Sequence, residues 1–212
     1  MTVLQALAAF TLAAGLLTIL PGLDTAMVLR TAAAEGPRRG ALAALGIGTG
    51  CLIWGLAIAL GLGALLAASQ GAYTVLKWAG AAYLLWMGLG LLLKPRSRFD
   101  LDAAPVKGPG KGGGDGGWYV RGLLTNLLNP KIGVFYVSFL PQFTPAHVPA
   151  APFIVLLAAI HVVLGLIWSA GLILATRPLK AWLANSTVIR RLDRVTGGVF
   201  ILFAGRLVLE PR

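Results

Sequence analysis

Asp24, Asn126, Asn129 and Lys131 are polar residues set inside long apolar runs, each within four residues of a proline. The first lies in Leu16-Leu17-Thr18-Ile19-Leu20-Pro21-Gly22-Leu23-Asp24, the others in Asn126-Leu127-Leu128-Asn129-Pro130-Lys131. An ionisable group in hydrocarbon costs at least ~2.5 kcal/mol on the most lenient insertion scale. Pro21 removes a backbone donor and clashes with the carbonyl four residues back, and Gly22 loosens what remains. A bilayer tolerates broken backbone only where protein or a water-filled cavity receives the freed groups. These residues therefore predict a polar passage lined by two helix breaks. Pro21 suits the first turn of a new half-helix, whose positive end favours an ionised Asp24 one turn further on. Asn126 and Asn129 offer donors and acceptors, and Lys131 a cation. One acid, one base, two amides and open helix ends match a group carrying both an ammonium and a carboxylate, as an alpha-amino acid does. Asp24 would meet the ammonium, or a coupling proton, while the half-helix at Pro130 with Lys131 meets the carboxylate. More plainly, Asp24 and Lys131 would pair with each other as a structural lock, and Pro21 would be an ordinary packing kink.

The elements that must position these residues follow from composition. The 212 residues are 58% hydrophobic and 12% charged, with mean hydropathy +0.83. Those values belong to an all-α integral membrane protein with several spans. The formal charge of +11 does not imply nucleic acid, because the bases sit in short loops between apolar spans. One cysteine, Cys51, excludes an internal disulfide and a Cys-x-x-Cys redox centre. The N-terminus lacks a basic n-region, so no cleavable signal peptide is expected.

Six segments reach the ~20 residues that a ~30 Å hydrocarbon core requires. They run at about 4–29, 39–68, 73–93, 118–140, 151–176 and 188–209. Residues 94–117, with three prolines and a glycine-rich run around Lys111, cannot bury a core and read as a flexible linker. The Walker spacing is absent, and no strand precedes the run, so it is not a phosphate loop. Fourteen of the eighteen Lys and Arg fall in the loops after segments one, three and five or in the first turns of the segments that follow them. The positive-inside rule puts those loops in the cytoplasm and both termini outside it.

The halves 1–93 and 118–212 match weakly but in order. Leu17-Thr18-Ile19-Leu20-Pro21 lies on Asn126-Leu127-Leu128-Asn129-Pro130, and Cys51-Leu52-Ile53-Trp54 on Gly165-Leu166-Ile167-Trp168. Lys77, Gly80, Tyr83, Trp86 and Gly88 fall on Arg194, Gly197, Phe200, Phe203 and Gly205. Three spans per half give two inverted three-helix repeats, with the first and fourth of six transmembrane helices interrupted near Pro21 and Pro130. At ~1.5 Å per residue Pro21 lies roughly 13 Å deep from Arg30, and Pro130 roughly 18 Å deep from Trp118. Both are near the midplane, where paired breaks mark a transporter's binding site.

Other residues have structural explanations first. Gly46, Gly48, Gly50 and Gly55 suggest close helix packing, and Gly46 with Gly50 could instead mark a homodimer face. Trp54 and Trp168, at mid-span, are candidates for the cavity wall. His161 is a candidate proton relay, with a hydrogen-bonded packing histidine as the stronger expectation. Asp24 is taken as the sole intramembrane acid.

The segments Leu20-Pro21-Gly22-Leu23-Asp24, Gly36 to Gly50, Trp78 to Gly88, Gly122 to Lys131 and Phe139-Leu140-Pro141-Gln142-Phe143 together resemble the LysE/RhtB amino-acid exporter family. The resemblance spans essentially the whole chain. It implies a multi-pass exporter of the bacterial inner membrane, driven by the proton-motive force and carrying homoserine-, threonine-, leucine- or lysine-like substrates. It carries Pro21, Gly22, Asp24, Asn129, Pro130 and Lys131 over as functional positions. Leu23 stands where the family frequently has a second proline (Pro-Gly-Pro), which implies a less rigid break here. The expected partners are an amino acid, protons and lipid, with no cofactor. The rival is a metal or inorganic-ion exporter, for which seven acids, two histidines and one cysteine supply no ligand cluster in the spans. A membrane enzyme would need a nucleophile-base pair or a motif such as His-Glu-x-x-His, and neither is present.

Overall fold

A computed structural model of the chain describes residues 2–20, 22–68, 70–95, 115–174 and 185–209. In order, the helices are α1 (Val3–Ile19), α2 (Leu23–Glu35), α3 (Pro37–Ala68), α4 (Gln70–Leu93), α5 (Asp115–Leu127), α6 (Pro130–Phe139), α7 (Ala150–Leu174) and α8 (Ser186–Leu209). A 3-10 turn, Leu140–Phe143, continues α6. No strand occurs among the described residues.

The helix ends follow from local chemistry. Thr2 and Gln5 form a reciprocal capping box at the start of α1. Gly36 ends α2 at φ +93°, a conformation open to glycine, and Pro37 opens α3 where its missing N–H is no loss. The Asn129 side chain accepts from Lys131 N–H at 3.1 Å and caps α6, with Pro130 in the first turn.

Each expected apolar segment coincides with one helix or one bent pair. The pair α1/α2 bends by 52°, and α5 bends by 58° against α6 with its 3-10 extension. Residues Pro37–Gly61 of α3 and all of α7 are long and apolar enough to cross a membrane. The described residues therefore hold two such crossings, or four if each bent pair is one span. Large apolar side chains face outward, among them Leu4, Leu60, Trp86, Ile167 and Leu202, as lipid as solvent allows.

Most of the expected linker, 96–114, lies outside the described residues, and α5 already begins at Asp115. That carboxylate sits in the first turn of α5, where the helix dipole favours it. Arg38 Nη2 meets it at 2.9 Å and Arg39 Nε at 3.6 Å. The bridges join the start of α3 to the start of α5, so two basic regions expected on one side do meet. Arg121 stacks over Trp118 at 4.4 Å one turn further along α5.

Helix α3 is the central strut, packed on α5, α7 and α2, while α4 packs on α8. Glycines permit the closest crossings. A Cβ on Gly46 would overlap the Tyr119 backbone, and one on Gly122 the Ala43 backbone. Across α4 and α8, a Cβ on Gly88 would come within 2.8 Å of the Gly197 carbonyl. The dimer-face alternative for Gly46 and Gly50 is thus corrected: within this chain α5 occupies that face.

Candidate functional site

The two breaks meet. Helix α1 ends at Ile19, and α2 starts at Leu23 with Gly22 as its N-cap. Pro21 lies outside the described residues, and the new helix begins two residues beyond it. The first-turn placement is expected of Pro21, a residue not described; at that break Gly22 occupies the cap, and it is Pro130 that stands in a first turn, that of α6. Asp24 still falls in the first turn of α2.

The polar contacts run crosswise between the halves. Asp24 Oδ2 accepts from Asn126 Nδ2 at 2.8 Å, and Asp24 Oδ1 from Asn129 Nδ2 at 3.2 Å. Lys131 Nζ donates to the carbonyls of Leu17 and Leu20 at 3.1 Å each. Those carbonyls belong to the end of α1, where four acceptors have no helical partner and the dipole is negative. The ammonium of one half thus caps the broken helix of the other, while the asparagines of that same half hold the carboxylate of the first. Gly22 lies beside this ammonium: a Cβ there would be 3.4 Å from Nζ. Asp24, Gly22, Asn126, Asn129, Pro130 and Lys131 therefore gather at one junction, as their spacing predicts.

A cavity of about 60 Å³ opens there, bounded by the end of α1, the start of α2 and α6, the first half of α3 and the second half of α7. One water needs ~10–15 Å³ on this measure, so several waters or a small polar group fit. Asp24, Asn129 and Lys131 lie at its wall, together with Thr18, Thr25, Cys51, His161 and Ser169. Asn126 stands behind it, fully buried, also donating to Cys51 Sγ at 3.3 Å. Gly50 makes room for that amide, since a Cβ would come within 2.5 Å of Asn126 Oδ1.

Of the two candidate tryptophans, Trp168 lines the cavity and Trp54 does not: its ring packs against Gly133. His161 shares a 3.0 Å hydrogen bond between Nδ1 and the Tyr136 hydroxyl, while also lying at the cavity wall. Thr25, Ser169 and Cys51 escaped notice as wall residues; the alignment of Cys51 with Gly165 was the signal available, since both line the cavity. The expectation of a sole intramembrane acid is corrected by Asp193, fully buried within α8. Thr196 and Gly197, one turn on, are buried as well.

Beyond the breaks, away from the basic loops, the interior is closed by aromatic packing. Phe10 meets Phe143 edge-on at 5.6 Å, Phe135 stacks on Phe139 at 4.8 Å, and Phe200 abuts Phe139 at 6.3 Å. On the side of the basic loops the buried packing is smaller: Val28, Leu29, Ala44 and Leu172.

Comparison with known proteins places these features in a family. The chain is 29% identical over 204 residues to the uncharacterized membrane protein YrhP of Bacillus subtilis, covering 94% of this chain and 97% of that one. It is 29% identical over 205 residues to a homoserine/homoserine lactone efflux protein of Salmonella typhi, covering 96% of each. It is 30% identical over 196 residues to a leucine efflux protein of Klebsiella pneumoniae, covering 89% of this chain and 88% of that one. No solved structure matches the fold. The model of the LysE type translocator family matches residues 16–211, both breaks and the cavity included, and the chain belongs to that family of membrane transporters.

Proposed function

We propose that the chain exports amino acids or close derivatives across the bacterial inner membrane by a proton-coupled mechanism centred on Asp24. The observation that carries this is the shared cavity at the junction of the breaks, with a carboxylate and an ammonium from opposite halves at its wall. Asp24 accepts its hydrogen bonds from two neutral amides, so it can bind a substrate ammonium, or take up a proton, by exchanging them. Lys131 and the N-terminus of α6 favour the substrate carboxylate. Relatives named for homoserine/homoserine lactone and leucine efflux support this substrate class.

The architecture in this proposal is six spans as two inverted repeats, 1–93 and 118–212. The crossed packing of α3 on α5 and of α7 on α1, with α4 on α8, supports it. Basic loops in the cytoplasm and both termini in the periplasm follow from the positive-inside rule, and the Arg38–Asp115 bridge agrees with that sidedness.

Uptake of labelled leucine and homoserine into everted membrane vesicles tests the proposal. Wild type accumulates them in proportion to an imposed proton gradient. Asp24→Asn reduces this at least a hundredfold at equal membrane abundance. Full accumulation by that variant, or indifference to a collapsed gradient, removes Asp24 or the coupling respectively.

A further inference from the structure

Beyond the polar junction the α3–α7 wall of the cavity is mostly hydrocarbon, with His161 and Ser169 as its polar members on α7, and one position in it is vacant. Gly165 of α7 lines the cavity, and a Cβ built there meets no atom within 4 Å. The other wall glycine on this side, Gly48 of α3, is different: its Cβ would come to 3.3 Å from Val162. The same wall carries Ile47, Val162, Leu166, Trp168 and Leu172, and on α7 His161 and Ser169 stand one turn to either side of Gly165. The carboxylate among the described wall residues is Asp24, on α2 across from this α3–α7 wall. A second ammonium buried against this wall would have no carboxylate beside it, and burying an unpaired charge is costly. We propose that Gly165 sets the depth of a subsite for the uncharged aliphatic side chain of the substrate, so that substituents at this one position select substrates by length. The proposal rests on the amino-acid reading above and identifies the part of the substrate that the α3–α7 wall receives.

Everted vesicles carrying wild type, Gly165→Ala or Gly165→Leu are compared for uptake of labelled alanine, leucine and lysine. Wild type takes up leucine at least tenfold faster than lysine. Gly165→Leu lowers leucine uptake roughly tenfold, the scale of a few methylenes excluded from an apolar pocket, and leaves alanine within twofold. Gly165→Ala, a single methyl into open space, gives a smaller loss of the same selectivity. Equal loss of alanine and leucine in the Ala variant, or lysine uptake matching leucine in wild type, overturns the subsite. Failure of wild type to take up any of the three, against a working control transporter, overturns the amino-acid reading itself and the subsite with it.

An independent observation carries a second inference. The repeat alignment lays Asp24 on Gly133, Ala26 on Phe135 and Trp54 on Trp168. Where the first half leaves a cavity between Asp24 and Trp168, the second half is closed: Trp54 Cζ2 and Cη2 lie 3.0 and 3.1 Å from a Cβ position on Gly133. We infer that Trp54 seated on Gly133 is the shut gate on the side away from the basic loops, and that it must leave Gly133 for substrate to be released there. Cys51, the chain's one cysteine, lies at the cavity wall and reports on access. A small membrane-impermeant methanethiosulfonate should modify it at least fivefold faster in everted than in right-side-out vesicles. Trp54→Ala, and Gly133→Ala, whose methyl crowds the ring, should each raise the right-side-out rate at least fivefold. Equal rates from both faces in wild type, or an unchanged right-side-out rate in both variants, overturns the gate.

Discussion

Downstream of the first break α2 carries Thr25, Ala26, Met27 and Val28, whereas downstream of the second α6 carries Val134, Phe135, Tyr136 and Val137. Each half-helix starts at a capping residue within three residues of an apolar helix end, Gly22 without a side-chain bond and Asn129 with one. Yet the space beside α2 is a cavity, and the space beside α6 is filled by Phe10, Phe139, Phe143 and Phe200 around Phe135. Two backbones of one plan thus enclose an opening on one side and a packed plug on the other. The difference lies in side-chain volume, since aromatic rings each bury 150–250 Å² while Ala and Thr cannot fill a comparable gap.

If the plug is structural mass and the cavity is working space, trimming the two sides should have unequal costs. The largest effect is expected from Phe135→Ala. Phe135 is 1% exposed, and removing a buried ring leaves a void worth roughly 3 kcal/mol. A large drop in Tm of the detergent-solubilised protein checks it, and a cost below that of Tyr136→Phe would break the comparison. Lys131→Met comes next, at about 2 kcal/mol, because charged hydrogen bonds to the Leu17 and Leu20 carbonyls are lost and the end of α1 is left uncapped. Faster amide hydrogen exchange over residues 16–20 would locate that loss. Tyr136→Phe removes one buried hydrogen bond to His161 and should cost about 1 kcal/mol, with transport retained. Ser169→Ala, on the open side, should change stability by less than ~0.5 kcal/mol while altering uptake kinetics. Smallest of all, Arg38→Ala removes an exposed ion pair to Asp115 and should move Tm little, the more so in high salt.

Much of this was legible beforehand for a definite reason. In a membrane protein a run of apolar residues, a proline or an ionisable group has few interpretations, because lipid offers no hydrogen bonds. Helix positions, both breaks, and the gathering of Asp24, Asn126, Asn129 and Lys131 all followed from that scarcity. Less legible were partnerships between residues of unremarkable type. Whether Trp54 or Trp168 faces the cavity depends on whether Gly133 or Asp24 stands opposite, and the identity of the tryptophan carries no such information. Asp193 was not legible because an acid among Arg190, Arg191 and Arg194 reads as part of a solvated face until the fold buries it.

By itself, then, the chemistry of the chain determined that it is helical and membrane-bound, that two of its helices are interrupted, and which polar residues accompany the interruptions. Only the tertiary arrangement decided that the lysine of one half caps the severed helix of the other rather than merely facing Asp24. It also decided that one side of the junction is hollow and the other filled. The physical reason is that backbone hydrogen bonding is a local demand, readable residue by residue. Volume is shared among helices far apart in sequence, and so exists only once they are packed.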